Sequence, residues 1–156
     1  MRKEYKLSII IFISILLFDQ FIKYAFVNFN WDVDGEYMSL KLAYNHGVAF
    51  SMFSFLQGYL KYIQLLIVLI ATIYLLKNKG VFYRYFLPIS ILYAAGLSNI
   101  LDRFTYGAVV DYFYWHYGFE FAIFNIADVM INFAVFILIL MQIQEARKEK
   151  RKDSKI

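Results

Sequence analysis

Residues 121–143 read FAIFNIADVMINFAVFILILMQI, a run of 23 positions in which Asp128 is the one charged side chain. A helix needs about 20 mostly apolar residues to cross a hydrocarbon core ~30 Å thick. This run meets that length. Three more stretches do so upstream: about 7–29, which contains Asp19, Gln20 and Lys23; 59–76, YLKYIQLLIVLIATIYLL; and 85–101, YFLPISILYAAGLSNIL. The expected fold class is therefore an all-α polytopic membrane protein with four transmembrane helices, organised as one membrane domain over 1–156.

Composition agrees. The 156 residues are 62% apolar and 18% charged, against roughly 45–50% and about 25% in average soluble chains. Such a chain is neither disordered nor collagen-like, and a soluble domain of this size could not hide so much apolar surface. Cysteine is absent, which excludes disulfides, thiolate metal sites and a Cys nucleophile.

Twelve of the 16 Lys and Arg residues lie at the N-terminus (Arg2, Lys3, Lys6), in the turn 77–84 (Lys77, Lys79, Arg84) and in the tail 144–156 (Arg147, Lys148, Lys150, Arg151, Lys152, Lys155). The connections 30–58 and 102–120 hold only Lys41 and Arg103 among basic residues, with six acids. By the positive-inside rule both termini are expected in the cytoplasm, with a basic cytoplasmic tail near anionic headgroups. The net charge of +4 is thus read as a topology signal, and no nucleic-acid partner is expected. The first stretch starts like a secretory signal but lacks a small-x-small cleavage site, so it reads as an uncleaved helix. Aromatic residues near the expected helix ends, from Phe29 and Trp31 to Tyr112 and Tyr117, read as interfacial belts.

The outer connections carry weaker signals. Alternation in Tyr37-Met38-Ser39-Leu40-Lys41-Leu42 suggests a small extracytoplasmic β element, a hairpin or curved sheet, between helices 1 and 2. The segment 102–120 suggests a short interfacial helix or turn.

Ionisable residues within membrane spans are costly and mark candidate sites. Asp19 and Lys23 are four residues apart, which predicts an internal ion pair, with direct chemistry by Asp19 as the alternative. Asn99, Asp102 and Arg103 close the third stretch and suggest a hydrogen-bonded helix end with an Asp–Arg interaction, or a substrate contact. Asn125, Asp128 and Asn132 form one helical stripe that must face other helices or a wet cavity. Asp111 and Asp128 sit near the same outer interface, where a carboxylate pair could share one proton and perform acid–base chemistry. Spacing alone is equally consistent with proton or ion passage. Ser51, Ser54 and Ser98 lack a nucleophile motif, His46 and His116 lack metal-ligand spacing, and no phosphate-binding loop occurs.

These residues fall into ordered blocks: Asp19-Gln20-Phe21-Ile22-Lys23; Asn45-His46-Gly47-Val48-Ala49-Phe50; Asn99-Ile100-Leu101-Asp102-Arg103 followed by Gly107, Val109, Val110 and Asp111; and Phe124-Asn125-Ile126-Ala127-Asp128. In this order they resemble D-x-x-x-K, N-x-G-A-A-F, N-x-x-D-R-x-x-x-G-x-V-x-D and F-N-x-A-D of the lipoprotein signal peptidases, or signal peptidase II. Val48 stands where that family usually has Ala, and residues 94–99, AAGLSN, where G-G-A-x-G-N is common.

The resemblance implies an intramembrane aspartyl endopeptidase with Asp111 and Asp128 catalytic. Asn45, Gly47, Asn99, Arg103 and Asn125 would bind substrate or support the site, and Asp19 and Lys23 would preserve integrity. The substrate would be a prolipoprotein cut just before its diacylglyceryl-modified Cys, entering laterally from the lipid. No metal or organic cofactor would be needed, and a monomer in a bacterial cytoplasmic membrane, with its site near the outer face, is expected. Two readings compete: a small proton- or cation-coupled transporter using Asp19, Lys23 and Asp128 as a relay, and a noncatalytic scaffold.

Overall fold

In lipid every backbone amide must find its partner within the chain, and long breaker-poor apolar runs do so as helices. The computed structural model describes residues 2–29, 31–47 and 52–153. Among the described residues four helices are long and apolar enough to cross a membrane: α1 (Lys3–Phe29), α2 (Gln57–Lys77), α3 (Lys79–Thr105) and α4 (Ile126–Asp153). Val48, Ala49 and Phe50 of the second sequence block, Ser51, and Lys155 of the tail lie outside the described residues.

Helix α3 is the hub, packing on α1, α2 and α4. Its buried face includes Ser90, Ala94, Ala95, Ser98 and Asn99; small side chains let helix backbones approach closely. Helix α2 is peripheral, with Leu60 as its one buried residue. Its Leu66, Ile67 and Ile70 are exposed, as a lipid-facing surface requires. Asn78 alone separates α2 from α3, and its side-chain amide donates back to the Tyr74 carbonyl at 2.9 Å. The third helix thus begins before residue 85. The kink that sets 79–84 apart lies at Tyr85 (φ −114°, ψ 23°), because Pro88 lacks an amide hydrogen and its ring crowds the carbonyl of Arg84.

The outer connections differ from the sequence reading. Strand β1 (Met38–Asn45) is present, and within its own segment, among the described residues, it makes only the isolated bridge Val33↔Leu40. It runs antiparallel to β2 (Val109–Trp115), in the connection where a short helix or turn was expected. Pairing slips between Leu40↔Phe113 and Ala43↔Asp111, so β1 carries one extra residue immediately before the partner of Asp111. Such a bulge twists the strand and re-aims side chains. The turn from α3 into β2 uses Gly107 at φ +74°, a left-handed conformation that glycine adopts without steric cost.

The fourth span also starts later than expected. Residues 121–124 precede α4 and pair with β2 through Phe113↔Phe124, and α4 continues through the basic segment to Asp153. The belt aromatics Phe29, Trp31, Tyr59, Tyr62 and Tyr117 are exposed and most of the others are half-buried. Tyr112 is the exception: it is 1% exposed, stacks on Phe26 with ring centres 4.5 Å apart, and its hydroxyl accepts the Ile126 amide at 3.2 Å.

Candidate active site

The sequence places Asn125 and Asp128 at the start of α4 in a pattern that caps a helix. The Asn125 side-chain oxygen accepts the Asp128 amide at 2.9 Å, and the Asp128 carboxylate accepts the Asn125 amide at 3.2 Å. This reciprocal capping box satisfies two amides that a helix start would otherwise leave unpaired. It also fixes Asp128 in the first turn, shallower than a helix starting at 121 would put it.

Asn125 reaches the second carboxylate as well. Its Nδ2 donates to Asp111 Oδ1 at 2.7 Å, while Asn45 Nδ2 donates to Asp111 Oδ2 at 3.1 Å. Asn45 and Asp111 share a face of the sheet as diagonal neighbours, since Asn45 pairs with Val109 and Ala43 with Asp111. Asn99 Nδ2 holds Asp128 Oδ1 at 2.9 Å. One asparagine therefore touches both acids, and each acid has a further asparagine of its own. Asp111 is 1% exposed, whereas Asp128 is half-buried.

Burial pushes the Asp111 carboxyl up to about 7, and the nearby Asp128 charge adds to the rise against the pull of Asn45, Asn125 and Lys23. A carboxyl in that position keeps its proton under conditions where an ordinary carboxylate has lost it.

Beneath the pair lies a buried ionic network. Lys23 Nζ contacts Asp19 Oδ2 at 2.8 Å, Asp102 Oδ2 at 2.7 Å and Asn99 Oδ1 at 2.8 Å. An ammonium has three protons, and here there are three acceptors. Asp19 also accepts the Ser98 hydroxyl at 2.6 Å and the Ala127 amide at 3.0 Å. Asp102 accepts Gln20 Nε2 at 2.8 Å and the Val110 amide at 3.2 Å. The network joins α1, α3, β2 and the start of α4. The Asp19–Lys23 pair expected from spacing is present, and Asp102 is its third member.

The expected Asp102–Arg103 interaction is replaced by these contacts. Arg103 donates instead to the carbonyl of Gly47 and to that of Asn99, the latter at 3.3 Å. Gly47 in turn donates its amide to Asn45 Oδ1 at 3.0 Å, so Arg103 and Gly47 anchor the end of β1 that carries Asn45. Gln20 and Ser98 had no place at the site in the sequence reading, and Tyr112 read there as a belt aromatic. The signals were their adjacency to Asp19, Asn99 and Asp111.

Two cavities open at the acids. One of about 530 Å³ is lined by Gln64 of α2, Asn99 and Arg103 of α3, and Asp128 and Asn132 of α4. The polar stripe on α4 thus faces a cavity. The other, about 430 Å³, is lined by Asp111, Tyr44, Tyr114 and Glu120. Asn45 and residues 121–123 line both.

Two carboxylates held together at one end of four membrane-length apolar helices, beside two cavities, mark a multi-pass membrane protein with a polar site at the end of its bundle. The family profile for Signal peptidase (SPase) II matches residues 11–144. The chain is 54% identical to a lipoprotein signal peptidase of Wolinella succinogenes over 129 residues, covering 82% of this chain and 87% of that one. It is 43% identical to a lipoprotein signal peptidase of Helicobacter pylori over 155 residues, covering 97% and 98%. Its fold is similar to a bacterial membrane enzyme solved by the in meso method at 2.3 Å resolution, with a TM-score of 0.78, 27% identity and 90% coverage of each chain. The chain belongs to the signal peptidase II family. It is accordingly a peptidase and a multi-pass bacterial membrane protein.

Proposed function

We propose that the chain is an intramembrane aspartyl endopeptidase that removes signal peptides from diacylglyceryl-modified prolipoproteins, cutting just before the lipidated Cys. The observation that carries the mechanism is the pair Asp111 and Asp128, delivered by different elements and tied together through Asn125. One carboxylate takes a proton from water. The other, protonated, donates to the scissile carbonyl oxygen. Water adds to the carbonyl carbon, and the tetrahedral intermediate expels the Cys-side nitrogen as it gains a proton. The two acids act as one coupled unit, and the raised Asp111 supports a shared proton near neutrality.

Purified chain, mixed in detergent with a lipid-modified prolipoprotein, should release the signal peptide. Intact substrate after prolonged incubation with folded chain would reject the proposal. The transporter reading requires Lys23 to exchange protons. All three of its donors are engaged within a network where Asp19 and Asp102 are 0% exposed, which favours a structural role.

The pH dependence has a definite sign. Turnover should fall as pH rises past about 7, because the pair then loses the proton that one member must donate. An unfolded Asp releases its proton near ~3.9, whereas folded Asp111 keeps it to about 7. The folded state binds the extra proton between those values. The stability it contributes is complete below the lower value and is lost as pH rises to the upper one. Thermal melts across that range should show this slope in the wild type and lose it in Asp111→Asn.

We also propose that residues 2–6, 77–84 and the tail face the cytoplasm and that the carboxylate pair lies near the outer face, as the basic clusters suggest. Cys placed at Asp34 or Tyr117 should react with an impermeant thiol reagent in intact cells. Cys at Asn78 should react only after the membrane is opened. The chain has no cysteine of its own, so the reverse pattern would overturn this orientation.

A further inference from the structure

The two cavities differ in the layer they occupy. The larger draws walls from the helices, with Gln64, Val129 and Ile131 among its lining residues. The smaller sits against the sheet and the turn after β2, with Ala43, Tyr114 and Glu120. They share Asn45 and residues 121–123, and each is lined by one member of the carboxylate pair. A peptide whose scissile bond lies at that pair would place its membrane-embedded side in the first and its continuing chain in the second. This division rests on the peptidase reading above.

Among charged residues the smaller cavity is lined by Asp111 and Glu120. Asp111 is held neutral to about 7, so Glu120 supplies the lasting charge. Its position is built by the backbone. Gly118 takes φ +75°, Phe121 donates its amide to the Trp115 carbonyl at 2.9 Å, and Phe124 bridges to Phe113. The turn that presents Glu120 is thus clamped on both sides. Burial and the nearby Glu120 carboxylate push the Tyr114 hydroxyl up. The nearby cation Lys41 is paired with Asp34 at 2.9 Å, which offsets its charge.

We propose that the smaller cavity is the subsite for the residues that follow the scissile bond, and that Glu120 makes it select basic or neutral side chains over acidic ones. The carboxylate is exposed, so water and salt weaken its field, and the preference is modest and salt-dependent. Glu120 acts on substrate fit, so discrimination appears in KM more than in kcat.

The test uses full-length chain and three lipid-modified substrates that differ only in the second residue after the modified Cys: Lys, Gln or Glu. At low salt, kcat/KM for Lys should exceed that for Glu by about three- to tenfold, with Gln between. Raising the salt should shrink the ratio. Glu120→Gln should bring it near one, and Glu120→Lys should reverse it. Asp32→Asn, at an exposed acid that does not line this cavity, should keep the wild-type ratio. A ratio near one in the wild type, or one unchanged in Glu120→Gln, would overturn the assignment of Glu120 while leaving the peptidase reading intact. Failure of the wild type to cleave any of the three would overturn both.

Discussion

Asp111→Asn and Asp128→Asn are each expected to lower signal-peptide cleavage by ~10² or more. Asparagine has nearly the volume of aspartate, and its carbonyl oxygen can still accept a hydrogen bond. Asn125 Nδ2 would keep an acceptor at position 111, and the Asn125 amide would keep one at position 128. The second oxygen of each acid becomes a donating amide, so the bonds from Asn45 and Asn99 are lost, and both variants should insert and fold but melt somewhat below the wild type. What is lost is the exchange of a proton with water or the scissile carbonyl. Measuring turnover per folded molecule isolates that loss. A folded variant that cleaves at near wild-type speed would remove its residue from the catalytic pair.

The second large effect is on stability. Lys23→Met deletes the one cation shared by Asp19 and Asp102, both fully buried. Breaking a buried ion pair from one side typically costs ~3–5 kcal/mol, because an uncompensated charge remains. Two are left here, so the variant should accumulate poorly and melt well below the wild type. Adding Asp19→Asn and Asp102→Asn to Lys23→Met removes the stranded charges, and the triple variant should regain part of the loss. If Lys23→Met alone melted normally yet failed to cleave, the network would have a role in chemistry rather than in holding the bundle together.

The spans were legible because lipid imposes a simple rule: a run such as 59–76 has no alternative to being a helix. The Asp19–Lys23 pair was legible for the same reason, since helical spacing brings i and i+4 together whatever surrounds them. The third member, Asp102, was not. Its neighbour Arg103 offered a nearer partner in sequence, and only the packing of α1 on α3 delivers Lys23 instead. Strand β1 could be read from its alternation, but its partner could not. Pairing with β2 is a long-range contact across two helices, and alternation says nothing about which distant strand completes a sheet. The start of α4 was misplaced because Phe121, Ala122 and Ile123 are apolar enough to extend the helix. The capping box at Asn125 and Asp128 overrides them. That signal was present in the sequence as N-x-x-D.

The sheet also sets an order of assembly. Strand β1 follows α1 in the chain, β2 follows α3, and Asp128 opens α4. A chain made from its N-terminus delivers β1 two helices before the strand that pairs with it. Asp111 then arrives with its sheet contacts but without Asn125, which belongs to the last helix to emerge. The two acids can meet only once that helix has docked on α3. Until then a half-made chain holds neither the shared asparagine nor the second acid, so on the proposed mechanism cleavage should begin only once α4 has docked.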